Sequence, residues 1–363
     1  MKKWNRVLLV MLLGVVVFSC KKALIDPSGT VALDTTPYNL DYNTLADPNL
    51  PGDNPLTQEK VELGRMLFYE NLLSGDGSMS CSSCHNQANA FSDTARLSTG
   101  IDGLFGHRQA MAIFNMAWND NEFFWDGRAH FLRDQALKPI QDPLEMHETL
   151  PNAIAKLEAK GRYRVQFSKA FGNDSITSER ISLALEAFMF TLVSNQSKYD
   201  RYLTGTATLS ESEERGRALF FAEYNPFFPE LSGADCAHCH SGSNFENDQY
   251  MNNGLDDEAQ ISDIGRQAVS GSAADKGKFK VPSLRNSALT HPYMHDGRFR
   301  TLEEVVDHYN TGIHASTTLE APLAYSMSTG LMLTAQDKKD LVNFLKTLTD
   351  YQFIKNPAFG SPF

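Results

Sequence analysis

Cys81-Ser82-Ser83-Cys84-His85 constrains this chain more than any other stretch, because two thiols and an imidazole at that spacing form the attachment signature of a c-type haem. The same arrangement returns at Cys236-Ala237-His238-Cys239-His240. A single match is equally compatible with half of a zinc site or with a disulfide pair. Two matches in a chain that opens with an export segment point to two c-type haems. Cys81, Cys84, Cys236 and Cys239 would then form the thioethers, and His85 and His240 would be the proximal ligands.

The export segment is residues 1–20. Lys2, Lys3 and Arg6 lead into an apolar run from Val7 to Phe18, shorter than the roughly 20 residues a membrane-spanning helix needs. Ser19-Cys20 then has the form of a bacterial lipoprotein cleavage site, with Cys20 as the lipidated first residue; an ordinary secretory signal is the alternative. Either way the mature protein is expected outside the cytoplasm, in the periplasm, and the lipoprotein reading adds a lipid anchor to the membrane at Cys20. The five cysteines are then all assigned, with none left for a disulfide or a catalytic thiol. The formal charge of −11 becomes about −14 when Lys2, Lys3 and Arg6 are removed. Such acidity argues against nucleic acid and favours a basic partner, such as a small cytochrome with a lysine-rich rim.

A chain of 363 residues suggests two domains of ordinary size. Glu62-Leu63-Gly64-Arg65-Met66-Leu67-Phe68 has an echo in Glu214-Arg215-Gly216-Arg217-Ala218-Leu219-Phe220. Thr57 and Ser210 are the matching helix caps. Leu-Ser-Gly precedes each Cys-His motif, and amphipathic helices are expected at 178–192 and 334–348. These elements recur at offsets of about 150 to 160 residues, so the chain reads as a duplicated unit. Strand signals are sparse. The expected fold is all-α, with two tandem cytochrome c-like domains at 56–203 and 204–352. Residues 21–55 read as a tether or extended arm, and 353–363 as a C-terminal tail.

Four further stretches bear on chemistry: Phe124-Trp125-Asp126-Gly127-Arg128-Ala129, the interval from Gln135 to Glu145, Pro282-Ser283-Leu284-Arg285-Asn286, and Pro292-Tyr293-Met294-His295-Asp296-Gly297. In this order, and with both motifs, they resemble the bacterial dihaem cytochrome c peroxidases and their MauG relatives, which mature an amine dehydrogenase by oxidising its tryptophans. The resemblance runs from about Leu56 to Leu348. It implies that the first haem reacts with peroxide and that the second is the port for electrons. It makes Glu145 and Gln135 the distal acid-base pair and Trp125 a relay between the haems. The residue types suit those tasks: peroxide cleavage needs a group that takes a proton from the near oxygen and returns it to the departing one. Read without the resemblance, Glu145 is a solvated acid beside a proline turn and Trp125 a core aromatic. Trp118 and Phe124 read as packing residues.

Two positions near the irons depart from the peroxidase pattern. Ile101 stands in the loop where those enzymes usually carry a histidine that blocks the first iron. His107, six residues on, reads as a surface or structural histidine unless the loop takes another path. The sixth ligand of the second haem, methionine in most of the peroxidases, falls on Tyr309, which is the MauG-type arrangement. Thr301 and Glu304 form a capping box, and Leu302, Val305, Val306 and Tyr309 share one helix face, with His308 off it. His308, His314 and Met327 are the alternative ligands. The resemblance also implies a calcium ion between the domains, held by Gln109, Thr290 and Pro292, with Gln109 replacing the usual asparagine.

The expected function is reduction of hydrogen peroxide to water, with electrons from a small cytochrome c or a similar donor. One rival keeps the haems and Glu145 but oxidises a partner protein, as MauG does, with Tyr309 as its support. The other rival is a dihaem electron carrier without a catalytic site. A homodimer is left open.

Overall fold

The computed structural model describes residues 31–363 apart from Thr44, so the expected signal segment and Cys20 lie outside the described residues. Two helix crossings organise the rest. Gln58–Phe68 packs on Ser178–Phe190, and Glu211–Phe221 packs on Ala335–Lys346. Each of the four begins at a hydroxyl cap, Thr57, Thr177, Ser210 and Thr334, whose side chain accepts a first-turn N–H.

The echoed glycines explain why the crossings are so close. A Cβ on Gly64 would lie 1.9 Å from the carbonyl oxygen of Ala184 and 2.8 Å from the Cβ of Phe188. A Cβ on Gly216 would lie 1.9 Å from the carbonyl oxygen of Asp340 and 2.9 Å from the Cβ of Phe344. Phe188 and Phe344 are fully buried there, each contributing roughly 1.5–3 kcal/mol relative to exposure. The two closing helices end slightly earlier than their apolar stripes suggest. Thr191 and Thr347 turn their hydroxyls back onto the carbonyls of Phe188 and Phe344, at 2.7 and 2.6 Å. The carbonyls of Leu192 and Leu348 then accept the amides of Asn115 and Asn286.

Two apolar clusters follow from this duplication. The first gathers around Leu63, Phe68, Phe91 and Phe188, and the second around Phe220, Phe245, Phe344 and Leu348. Among the described residues the one sheet is a two-residue antiparallel pair, Tyr250–Met251 with Phe279–Lys280. A fully buried Arg285–Asp200 ion pair fastens the second half, with Nη2 to Oδ1 at 2.8 Å. Arg108 ties the halves together, reaching Asp126 at 2.6 Å and Asp263 at 2.8 Å.

Both ends of the described chain are fastened to this body. Between 31 and 55, the amides of Asp34, Tyr38 and Asn49 donate to the carbonyls of Lys169, Leu56 and Ala117. Beyond the last helix, Asp350 accepts the amides of Asn195, Gln196, Gln352 and Phe353. The tail then crosses back to the first cluster, where Phe353 and Phe359 are buried. Arg65 Nε and Tyr69 Oη donate to the carbonyls of Gly360 and Phe359 at 2.7 and 2.8 Å.

Candidate active site

Cys81–Cys84 forms a single helical turn started by Ser80, with the His85 amide bonded to the Cys81 carbonyl at 3.0 Å. The turn presents both thiols and the imidazole on one side, as i, i+3 and i+4 spacing requires. The second motif does the same with a tighter turn, His240 N to Cys236 O being 2.9 Å. All four thiols are unpaired, and burial pushes them up to about 12 for Cys81 and Cys236 and about 11 for Cys84 and Cys239.

The proximal imidazoles are oriented in the same way. His85 Nδ1 lies 3.0 Å from the carbonyl of Phe91, and His240 Nδ1 lies 3.2 Å from the carbonyl of Phe245. Both phenylalanines have positive φ, 58° and 54°, which turns those carbonyls inward. A carbonyl can only accept, so Nδ1 carries the proton and Nε2 is left for a metal. Burial lowers both histidines, His240 to about 4, and so keeps them neutral, as ligation requires.

The two motifs open onto one cavity of about 990 Å³, bordered by Cys84, His85, Cys236, Cys239 and His240. Its largely apolar wall, its unpaired thiols and its two oriented imidazoles fit a pair of c-type haems.

Gln135 and Glu145 both reach this cavity. Gln135 sits on the Leu132–Gln141 helix, and Glu145 on the turn that follows it, with its amide on Asp142 O at 3.0 Å. Ile101 holds the turn from the other side, its N–H donating to the Glu145 carbonyl at 2.9 Å. Gly100 allows that approach: a Cβ there would lie 2.2 Å from the Leu144 carbonyl oxygen. Burial raises the Glu145 carboxyl to about 7, with Asp142 adding to the rise and Arg128 opposing it. Such a group can accept and return a proton near neutrality.

Trp125 is buried in the same cavity, on a turn set by positive φ at Phe124 and Gly127. Its Nε1 donates to the Gln109 carbonyl at 2.8 Å, and its own carbonyl accepts from Lys280 N at 2.7 Å. The second half repeats the turn, with positive φ at Met294 and Gly297, and puts His295 in the place of Trp125. Gln109 spans the two, since its amide donates to the His295 carbonyl at 2.8 Å. Phe124 also borders the cavity and carries the Arg128 guanidinium at 3.6 Å.

Tyr309 borders the second half of the cavity beside Met294, and Asn253 Nδ2 approaches its hydroxyl at 3.5 Å. Burial pushes Tyr309 up to about 12, so the polypeptide alone keeps it a phenol. The three alternative ligands do not border this cavity. His308 is buried on the other side of its helix, bonded to the Asn253 carbonyl at 3.0 Å, while His314 and Met327 are exposed. Gln109, Thr290 and Pro292 all border the cavity, and the Gln109 amide nitrogen is held by Ser92 Oγ and Asp93 O at 3.2 Å each. Ile101 does not border the cavity, whereas His107 stands exposed at its edge.

Sequence reasoning missed the carbonyls of Phe91 and Phe245, the clamp made by Gly100 and Ile101, and Glu246, a second carboxylate in the cavity. The paired turns at 124–127 and 294–297 were within its reach, because both read aromatic or methionine, then Trp or His, then Asp-Gly-Arg.

The di-haem cytochrome c peroxidase family model matches residues 58–208. The methylamine utilization protein MauG of Methylophilus methylotrophus is 36% identical over 304 residues, covering 82% of this chain and 84% of that protein. The cytochrome c551 peroxidase of Nitrosomonas europaea is 38% identical over 256 residues, covering 70% and 73%. A crystal structure described as a MauG-like protein associated with microbial copper homeostasis gives a TM-score of 0.79 at 37% identity, over 90% of this chain and 99% of that one.

Proposed function

The chain belongs to the di-haem cytochrome c peroxidase family, and from that membership we propose that it reduces hydrogen peroxide to water at the first haem with electrons delivered through the second. The observation that carries this is the meeting of His85, Gln135 and Glu145 on one cavity. A bare electron carrier has no need of the paired carboxyl and neutral amide that Glu145 and Gln135 bring together at this cavity.

His85 Nε2, with thioethers from Cys81 and Cys84, would hold the haem, which would supply the redox-active iron for peroxide reduction. Glu145, as carboxylate, would take the proton from one peroxide oxygen and hand it to the other, so that the second oxygen leaves as water. Gln135 offers a neutral amide for hydrogen bonding and does not compete for the proton. Trp125, fixed by Gln109, relays electrons between the two halves. One peroxide, two electrons and two protons give two waters.

His240, Cys236, Cys239 and Tyr309 are the residues that would hold the second haem. The two haem units correspond to 56–203 and 204–352. Calcium at Gln109, Thr290 and Pro292 would brace the halves, since all three residues lie near the cavity between them. A periplasmic location with a lipid anchor at Cys20 agrees with the basic, apolar start of the chain. Glu223, Glu230 and Asp235, with exposed Phe227, Phe228 and Leu231, give the surface around the second motif an acidic and apolar character suited to a basic small cytochrome.

Tyr309 favours a second reading, oxidation of a partner protein in the manner of MauG, because it is the one among the four candidate ligands that borders the cavity. The deciding assay is peroxide consumption with a pre-reduced small cytochrome c. Oxidation of two cytochromes per peroxide supports the peroxidase, and failure to consume peroxide leaves an electron carrier.

A further inference from the structure

Glu246 is a carboxylate that the peroxide chemistry does not use, yet it borders the cavity between the two motifs. It directly follows Phe245, whose carbonyl orients His240. Asn244 Nδ2 donates to its Oε1, and Asn244 Oδ1 accepts from Asn115 Nδ2 at 2.9 Å, so the group is held at the junction of the two halves. The charges facing it are mostly of its own sign: Asp248 on its own segment, and Asp120 from the first half. Lys280 is the one facing cation, and its ammonium is already engaged by Asn119 Oδ1, by the Glu122 carbonyl at 3.0 Å and by Asp248 at 3.7 Å. Glu246 therefore borders the cavity half-buried and, among the described residues, without a salt bridge of its own.

We propose that Glu246 takes up a proton when the second haem is reduced and releases it when that electron moves on. The inference rests on the dihaem reading above. In balance, one electron enters the ferric second haem, one proton joins the Glu246 carboxylate, and the products are the ferrous haem and a neutral carboxylic acid. An electron added nearby makes the anionic carboxylate less favourable, and weak screening inside the cavity makes that coupling large. Peroxide reduction consumes one proton per electron, so each electron stored at the second haem would arrive with the charge that compensates it. Burial, reinforced by Asp248 and opposed by Lys280, raises Glu246 to about 7, which puts the exchange at working pH.

The test is a potentiometric titration of the second haem in the holoenzyme across pH 5.5 to 8.5, followed by absorption. A wild-type potential that falls with pH by close to one proton per electron, about 59 mV per unit, and a Glu246→Gln potential that is flat, are the expected results. Glu246→Asp should restore the slope. Asp248→Asn should keep the slope and move its window to lower pH, and it decides the matter if Glu246→Gln does not take up both haems. A flat wild type, or a slope that persists in Glu246→Gln, overturns the proposal; persistence would pass the proton to Tyr309. Failure of the protein to hold two haems would instead overturn the dihaem reading, which haem content and spectrum report separately.

Discussion

Trp125 donates its indole N–H to the carbonyl of Gln109 at 2.8 Å, and this bond fixes the ring plane of a buried side chain that lines the cavity shared by the two Cys-His motifs. The partner is a carbonyl and not a base, so the indole keeps its proton whichever way electrons move. Trp125→Phe should preserve the packing while removing the bond, at a stability cost of about 1 kcal/mol. In stopped-flow mixing with peroxide, the first haem should still react promptly, and electron arrival from the second should slow. Unchanged transfer between haems would make Trp125 a core residue only.

Glu145 should govern the reaction with peroxide. Glu145→Gln is expected to lower the second-order rate constant by about 10²–10⁴ while leaving both haems attached. The acting form is the carboxylate, so the wild-type rate should climb by about tenfold per pH unit below the Glu145 value near 7 and level off above it. In Glu145→Gln that limb should vanish. Stability has the opposite sign. The folded carboxyl binds its proton more tightly than the ordinary 4.5, so the folded state loses stability as pH rises from about 4.5 to about 7.

Ile101 spends its amide on Glu145 and keeps its side chain out of the cavity. The first haem should accordingly be open in the fully oxidised protein and react with peroxide without prior reduction. A spin-resonance spectrum showing two histidines on that iron would identify His107, exposed at the cavity edge, as the blocking ligand.

Tyr309 should set the character of the second haem. A phenolate is a hard anionic ligand that favours ferric iron, although its proton must first be displaced by the metal's charge, given the rise to about 12 that burial causes. Tyr309→Met should raise the potential of the second haem and Tyr309→Phe should change its coordination. Spectra and redox titration identical to wild type in Tyr309→Phe would remove the tyrosine from the iron.

Gly64→Ala and Gly216→Ala should each destabilise the protein by about 1–3 kcal/mol, because an added methyl group must push the packed helices apart. Thermal unfolding of the two variants should show comparable losses, as the crossings are built alike. An unchanged midpoint in either would mean that its crossing relaxes freely.

What the sequence determined by itself is local. The thiol and imidazole spacing, the hydroxyl caps at Thr57, Ser210 and Thr301, and the repeated glycine all act within a helical turn or two, so residue order is enough to read them. Contacts between distant segments were decided only by the tertiary structure. Helical spacing already separates His308 from Tyr309, but only the fold supplies their surroundings, the Asn253 carbonyl for His308 and the cavity for Tyr309. Phe353 and Phe359 have no periodicity to announce a core, and they become one because Asp350 turns the chain back onto the first half. Glu246 has the look of a solvated acid in sequence. It becomes a half-buried one at the cavity because Lys280 and Asp120, far away in the chain, face it, and Asn115 holds the Asn244 that bonds it. Burial and electrostatic environment depend on packing in three dimensions, and for that reason the charge states of this cavity were not legible in the order of its residues.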